Sequence, residues 1–185
     1  MCASDRPDDA AAEDVPTRTR KGGHSKRDRL CQGECLSTYI DTGILVKSYV
    51  FEADSEEAVE IIEAAGDPLI FSHFHSIEIP NAIRLRRFRG EITKEEESAA
   101  VKVFRGDVES GRLGRPAYDI AAVFIRAEIL SARHSGNTGA RTMDVLHVAA
   151  ALECGCAEMA SFDERQRKIA LLAGMQVTPA RRKKT

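Results

Sequence analysis

The sequence lacks any long apolar run. Its longest, Ile120 to Ile125, falls far short of the roughly 20 residues that a membrane-spanning helix needs, which excludes a helical membrane protein. The opening stretch, Met1 to Ala10, is polar and acidic and carries no apolar segment of the secretory kind, so a cytoplasmic location is expected. An excess of one charge is lacking as well. The 27 basic and 29 acidic side chains leave a formal net charge of -2, which speaks against coating of nucleic acid by bulk charge and leaves a local site open. No glycine-rich phosphate loop is present, so nucleotide-driven chemistry lacks its cradle. Cysteine is sparse. Cys2, Cys31, Cys35, Cys154 and Cys156 fit no common zinc spacing and read as free thiols of a reducing compartment.

What is present is one domain's worth of core. Of 185 residues, 43% are hydrophobic and 30% charged, enough for a single globular unit. Residues 1–36 mix charges of both signs with Gly, Ser and Pro and show no apolar periodicity, so a disordered extension is expected there. Residues 180–185 read as a basic tail. Between them, residues 37–179 alternate short apolar runs with helical periodicity. The expected strands are Thr38 to Ile40, Leu69 to Phe71, Glu158 to Ser161 and Met175 to Val177. Helices are expected over Ile44 to Val50, around Ala58 to Ala65, from a cap at Ser76 to Gly90, and around Ala100 to Phe104. Others are expected over Ile120 to Leu130, Met143 to Cys154 and Arg165 to Ala173, with Gly111 to Pro116 a loop and Ser135 to Gly139 a break. Hairpin signals are missing, so the pattern predicts a three-layer α/β domain with a short parallel sheet flanked by helices.

Ligands of such a sheet gather beyond the carboxyl ends of its strands, beside helix N-termini. Four acidic residues fall there. Asp41 ends the first strand, Glu78 is placed in a helix first turn after Ser76 and before Pro80, Asp144 follows Thr142 as a cap, and Asp163 opens the helix containing Gln166. Singly, each has a structural explanation as a turn or helix-cap residue. Together they would repel one another unless a hard divalent cation, Mg²⁺ or Mn²⁺, compensated the charge. Such a site serves phosphodiester hydrolysis, since a bound ion activates water and neutralises charge on the leaving oxygen.

The residues around these acids resemble the motifs of the PIN-domain family, in particular its VapC-type toxin ribonucleases. Thr38-Tyr39-Ile40-Asp41-Thr42 with Leu45-Val46-Lys47 is similar to the family's opening. Ser76-Ile77-Glu78 with Asn81-Ala82 resembles its second motif, Arg141 to Ala149 its third, and Ser161 to Gln166 its fourth. The resemblance spans about residues 38 to 178, with the motifs in family order. It implies a PIN fold and a metal-dependent endoribonuclease, with Asp41, Glu78, Asp144 and Asp163 as catalytic metal ligands. It also implies an RNA substrate, a neutralising antitoxin partner and a homodimer. Thr42 and Ser161 would support the ligands with hydroxyls. Gly43 stands where the family often has Ser or another small residue, which would remove a supporting hydroxyl.

Arg84, Arg86, Arg87 and Arg89 could hold RNA phosphates, or form ion pairs on a solvated face with Glu95 to Glu97. His147 reads as a core or supporting histidine rather than a ligand. His73 and His75 are expected to point to opposite faces. Glu52 and Asp119 read as surface acids. An aspartic protease, suggested by Asp41-Thr42-Gly43, is disfavoured because its chemistry needs two such carboxylates in a largely β fold. An inactive PIN-like module that binds RNA or an antitoxin is the remaining rival.

Overall fold

A computed structural model describes residues 38–180. The expected extension over 1–36, the tail beyond Ala180 and Cys2, Cys31 and Cys35 lie outside the described residues. The chain alternates short strands and helices. It runs through β1 (Thr38–Ile40), α1 (Thr42–Leu45) continued by a 3₁₀ turn at Val46–Ser48, α2 (Ser55–Ala65), β2 (Leu69–Ile70), α3 (His73–Phe88) and α4 (Lys94–Ser110). It continues through β3 (Leu113–Gly114), α5 (Ile120–Leu130), a π turn (Ser131–Ser135), α6 (Gly136–Thr138), α7 (Thr142–Glu153), β4 (Glu158–Ala160), α8 (Glu164–Leu172) and β5 (Gln176–Thr178).

Every strand pairing is parallel. β4 lies between β1 and β5, with Ile40 opposite Ala160 and Ala160 opposite Thr178. β2 pairs with β3 and runs beside β1. Side chains alternate across a strand, and β1 shows what this builds. Tyr39 joins a core cluster with Val123, Ala149 and Ile169 of α5, α7 and α8, whereas Ile40 joins another with Ile44, Ile79, Ile83 and Phe104 of α1, α3 and α4. Two helical layers thus sandwich the sheet, as the sequence pattern predicts. In α7 the run Val148 to Ala151 is wholly buried, because small side chains let α5 pack closely against it.

Four local expectations are corrected. The loop expected over Gly111 to Pro116 contains β3, which pairs with β2; two residues are too short to leave a periodicity. The break expected at Ser135 comes later, because the π turn and α6 carry the helix on to Gly139, whose positive φ of 67° ends it. The third helix starts at His73, not after Ser76. Ser72 has the extended backbone of an N-cap and forms a reciprocal capping box with His75, so Pro80 lies inside the helix and Glu78 in its second turn. Thr142 is not the cap of α7. Arg141 holds that place with extended backbone, and Asp144 reaches back to its N–H at 2.7 Å.

Candidate active site

β1 and β4 end side by side, the Asp41 N–H donating to the Ala160 carbonyl at 2.9 Å. That contact brings the first and fourth motifs to one sheet edge. Asp41 caps the short helix α1. Its Oδ2 accepts the Gly43 N–H at 3.0 Å, and its Oδ1 accepts the amide of Gln166, from the first turn of α8, also at 3.0 Å. Burial pushes the Asp41 carboxyl above its ordinary range despite these donors and the His147 ring, and the neighbouring Glu78 adds to the rise.

Glu78 reaches the same place from α3. Its Oε2 accepts from the Thr42 hydroxyl at 2.6 Å and faces His147 Nε2 at 2.5 Å. Burial raises its carboxyl, but the His147 and Thr42 contacts outweigh that and hold it below the ordinary range. Two adjacent carboxylates are therefore pushed in opposite directions, Asp41 by desolvation and Glu78 by its donors.

Asp144 and Asp163 stand at helix starts, as expected, with backbone amides on their oxygens. Asp144 lies one turn before His147 on α7, and so on the helix face from which His147 reaches Glu78. Asp163 caps α8 by accepting the N–H groups of Arg165 and Gln166 at 2.8 and 3.3 Å, and Arg165 Nη2 lies 3.4 Å from its Oδ2. Burial raises the Asp163 carboxyl, and these donors more than reverse it. The Ser161 hydroxyl accepts the Asp163 N–H at 3.1 Å. Among the described residues no group of three or more His, Cys, Asp or Glu side chains is gathered closely enough to hold a metal ion. What is assembled is the Asp41–Glu78 pair with its supports.

The four arginines are ion-paired along the second half of α3 and at its C-cap, Arg89. Arg84 and Arg87 share Glu97 at 4.0 and 2.7 Å, Arg89 pairs with Glu91 at 3.9 Å, and Arg86 is held by Glu52 and Glu91. Glu52 is thus no isolated surface acid, since Lys47 binds its other oxygen at 2.6 Å. Asp119 caps α5. His73 is exposed against Tyr118, whereas His75 is buried, so the two do diverge.

The PIN-domain profile matches residues 38–172. The chain belongs to the PIN-domain family. Membership points to nuclease activity in general and to the divalent ions such domains typically use. No curated protein matches the chain. In this PIN domain the supporting residues were the hardest to read from sequence. Gln166 reads from sequence only as part of a helix cap, Tyr39 only as a strand residue and His75 only as one of two diverging histidines, and Ser72 has no sequence signal of its own.

Proposed function

We propose that this PIN domain is a metal-dependent endoribonuclease and the VapC-type toxin of a type II toxin–antitoxin pair. The observation that carries the reading is the Asp41–Glu78 pair at the carboxyl end of β1, where burial, with Glu78 beside it, makes the ionised form of Asp41 costly in spite of its donors. The donors fit a hard cation in kind, being carboxylates backed by hydroxyls. Asp41 and Glu78 would hold Mg²⁺ or Mn²⁺, and Asp144 and Asp163 would complete the set after giving up part of their hold on helix-cap amides. A divalent ion there supplies the charge that lowers the pKa of an attacking water and offsets negative charge on the leaving oxygen. The chain's own groups position the acids. Gln166 and the Gly43 N–H fix the Asp41 carboxylate, and Thr42 and His147 fix Glu78.

The substrate of this reading is RNA. Arg84 and Arg87 of α3 and Arg89 at its C-cap, whose side chains stay more than half exposed despite their ion pairs, are the phosphate contacts of this reading. An antitoxin and a second copy of the chain are its protein partners. Support for a protein partner comes from the exposed apolar side chains of α5 and α8, Phe124, Ile125, Ile129, Leu171 and Leu172. The setting is the cytoplasm; among the described residues no helix is long and apolar enough to cross a membrane.

Mg²⁺- or Mn²⁺-dependent cleavage of RNA, abolished by Asp41→Asn or Asp144→Asn in protein that stays folded, is the expected result. Cleavage at wild-type rate by both variants would place the chemistry elsewhere. Growth arrest on expression, relieved by a neighbouring reading frame, tests the toxin role, and sequencing RNA 5′ ends after induction identifies the target. The ungathered ligands favour one second reading, an inactive PIN-like module that binds RNA or an antitoxin. Calorimetry with Mn²⁺ separates the two: the nuclease binds the ion and the module does not.

A further inference from the structure

The edge that holds the acidic pair continues past it. Ser72, just after β2, lies beside β1, its hydroxyl 2.8 Å from that of Tyr39, and α3, which starts there, carries Glu78 to Thr42. β3 pairs with β2 in parallel. Asp41, Ser72 and Arg115, which follow β1, β2 and β3, therefore stand along one carboxyl edge, where ligands of such sheets gather.

Arg115 differs from the arginines of α3. Those are ion-paired, whereas Arg115 is exposed and its side chain makes no ion pair or hydrogen bond among the described residues. Its guanidinium carbon lies 5.2 Å from the centre of the buried Phe71 ring. Packing on a ring holds the cation in place without spending its N–H donors. The chain on either side is fixed, by burial of Pro116 and by the Gly114 carbonyl, which accepts the Phe71 N–H at 2.9 Å.

Three residues on, Tyr118 meets the start of α3. Its hydroxyl accepts the His73 N–H at 3.0 Å and lies 2.7 Å from His73 Nδ1, and the two rings meet edge to face with centres 5.5 Å apart. Burial holds the Tyr118 hydroxyl above its ordinary range, against the His73 N–H and the nearby Arg115. His73 is exposed and Tyr118 half-buried. An unspent cation beside an exposed ring pair suits single-stranded RNA, whose phosphates take arginine and whose unstacked bases lie on aromatic or histidine rings. An acidic protein segment would use the cation and leave the rings idle.

We propose that Arg115, Tyr118 and His73 form a subsite for one nucleotide of single-stranded RNA, Arg115 holding its phosphate and the His73–Tyr118 ring pair its base. The proposal rests on RNA as the substrate, not on the metal. It gives the strand a second point of hold on the same edge, two strand positions from Asp41.

Fluorescence anisotropy of a labelled single-stranded RNA tests this, with each variant made in full-length Asp41→Asn protein, where one acidic charge is gone and no cleavage is expected. Arg115→Gln should weaken binding about five- to tenfold and make the slope of log affinity against log salt shallower by about 0.7, the contribution of one single-strand phosphate contact. Arg115→Lys, which keeps the charge, should keep the slope. His73→Ala should weaken binding about fivefold. Equal weakening by Arg115→Gln and Arg115→Lys with the slope unchanged would mean that Arg115 only packs on Phe71, and that overturns the subsite. Full affinity in folded Arg115→Gln or His73→Ala overturns it too. If Arg84→Gln and Arg87→Gln weaken binding while Arg115→Gln does not, the RNA reading stands and the subsite falls. No RNA binding by the parent protein removes both.

Discussion

Asp41 sits where electrostatics and covalent geometry meet. Its folded-state pKa is raised, so the ionised carboxylate opposes folding at neutral pH, and that penalty disappears as pH falls and the group protonates. Asp41→Asn should therefore raise the melting temperature of metal-free protein by a few degrees at neutral pH. The gain should shrink on acidification through the carboxylate range, and thermal melts across pH would show both effects. Glu78 has the opposite sign. Its lowered pKa contributes stability above the ordinary glutamate range that is lost as pH falls through the depressed value. Glu78→Gln is expected to flatten the acid limb of the same profile. Next door, a Cβ on Gly43 would stand 3.0 Å from Asp41 Oδ2, so the carboxylate or the backbone must give way. Gly43→Ala should slow RNA cleavage several-fold with little change in melting temperature, which would tie the small residue at this place to the pose of Asp41.

At the scale of elements, the site depends on loops clamped by buried groups. Arg167 of α8 is buried, with Nη1 on the Ser161 carbonyl at 2.9 Å and Nη2 on the Pro179 carbonyl at 2.6 Å. It ties the fourth-motif loop to the chain leaving β5. Lysine keeps the charge but not the two-pronged reach, so Arg167→Lys should cost about 2 kcal/mol, read from urea unfolding; an unchanged midpoint would remove the clamp. The sequence reading of α3 failed for a related reason. Ser72 and Ser76 are both acceptable caps by residue type, and Pro80 favoured the later one. Tertiary contacts select Ser72, because its hydroxyl also meets Tyr39 and its capping partner His75 is buried in the core.

For the whole molecule, a net charge of -2 conceals local arrangement. The basic side chains of α3 are largely spent on Glu52, Glu91 and Glu97, so affinity for polyanions is expected to rise only when the acidic site is charge-compensated. Mn²⁺ at about 100 times its Kd should stabilise the folded wild type by about 2.7 kcal/mol. Asp41→Asn should show little of that shift, and equal shifts in the two proteins would exclude Asp41 as a ligand.

The sequence by itself determined the α/β class, the parallel sheet and the boundaries of α5, α7 and α8, and it singled out the four acids. These follow from local periodicity, cap chemistry and residue type, which act over a few neighbours. Tertiary structure decided which acids meet. Asp41 and Glu78 come together across 37 positions of chain through Thr42 and the β1–α3 packing, while Asp144 and Asp163 stay engaged at their helix caps. It also decided that His147, Tyr39, Ser72 and His75 form one buried line and that Gln166 reaches Asp41. Contacts between residues so far apart in sequence depend on how strands and helices pack in space, and neither spacing nor propensity encodes that at any single position.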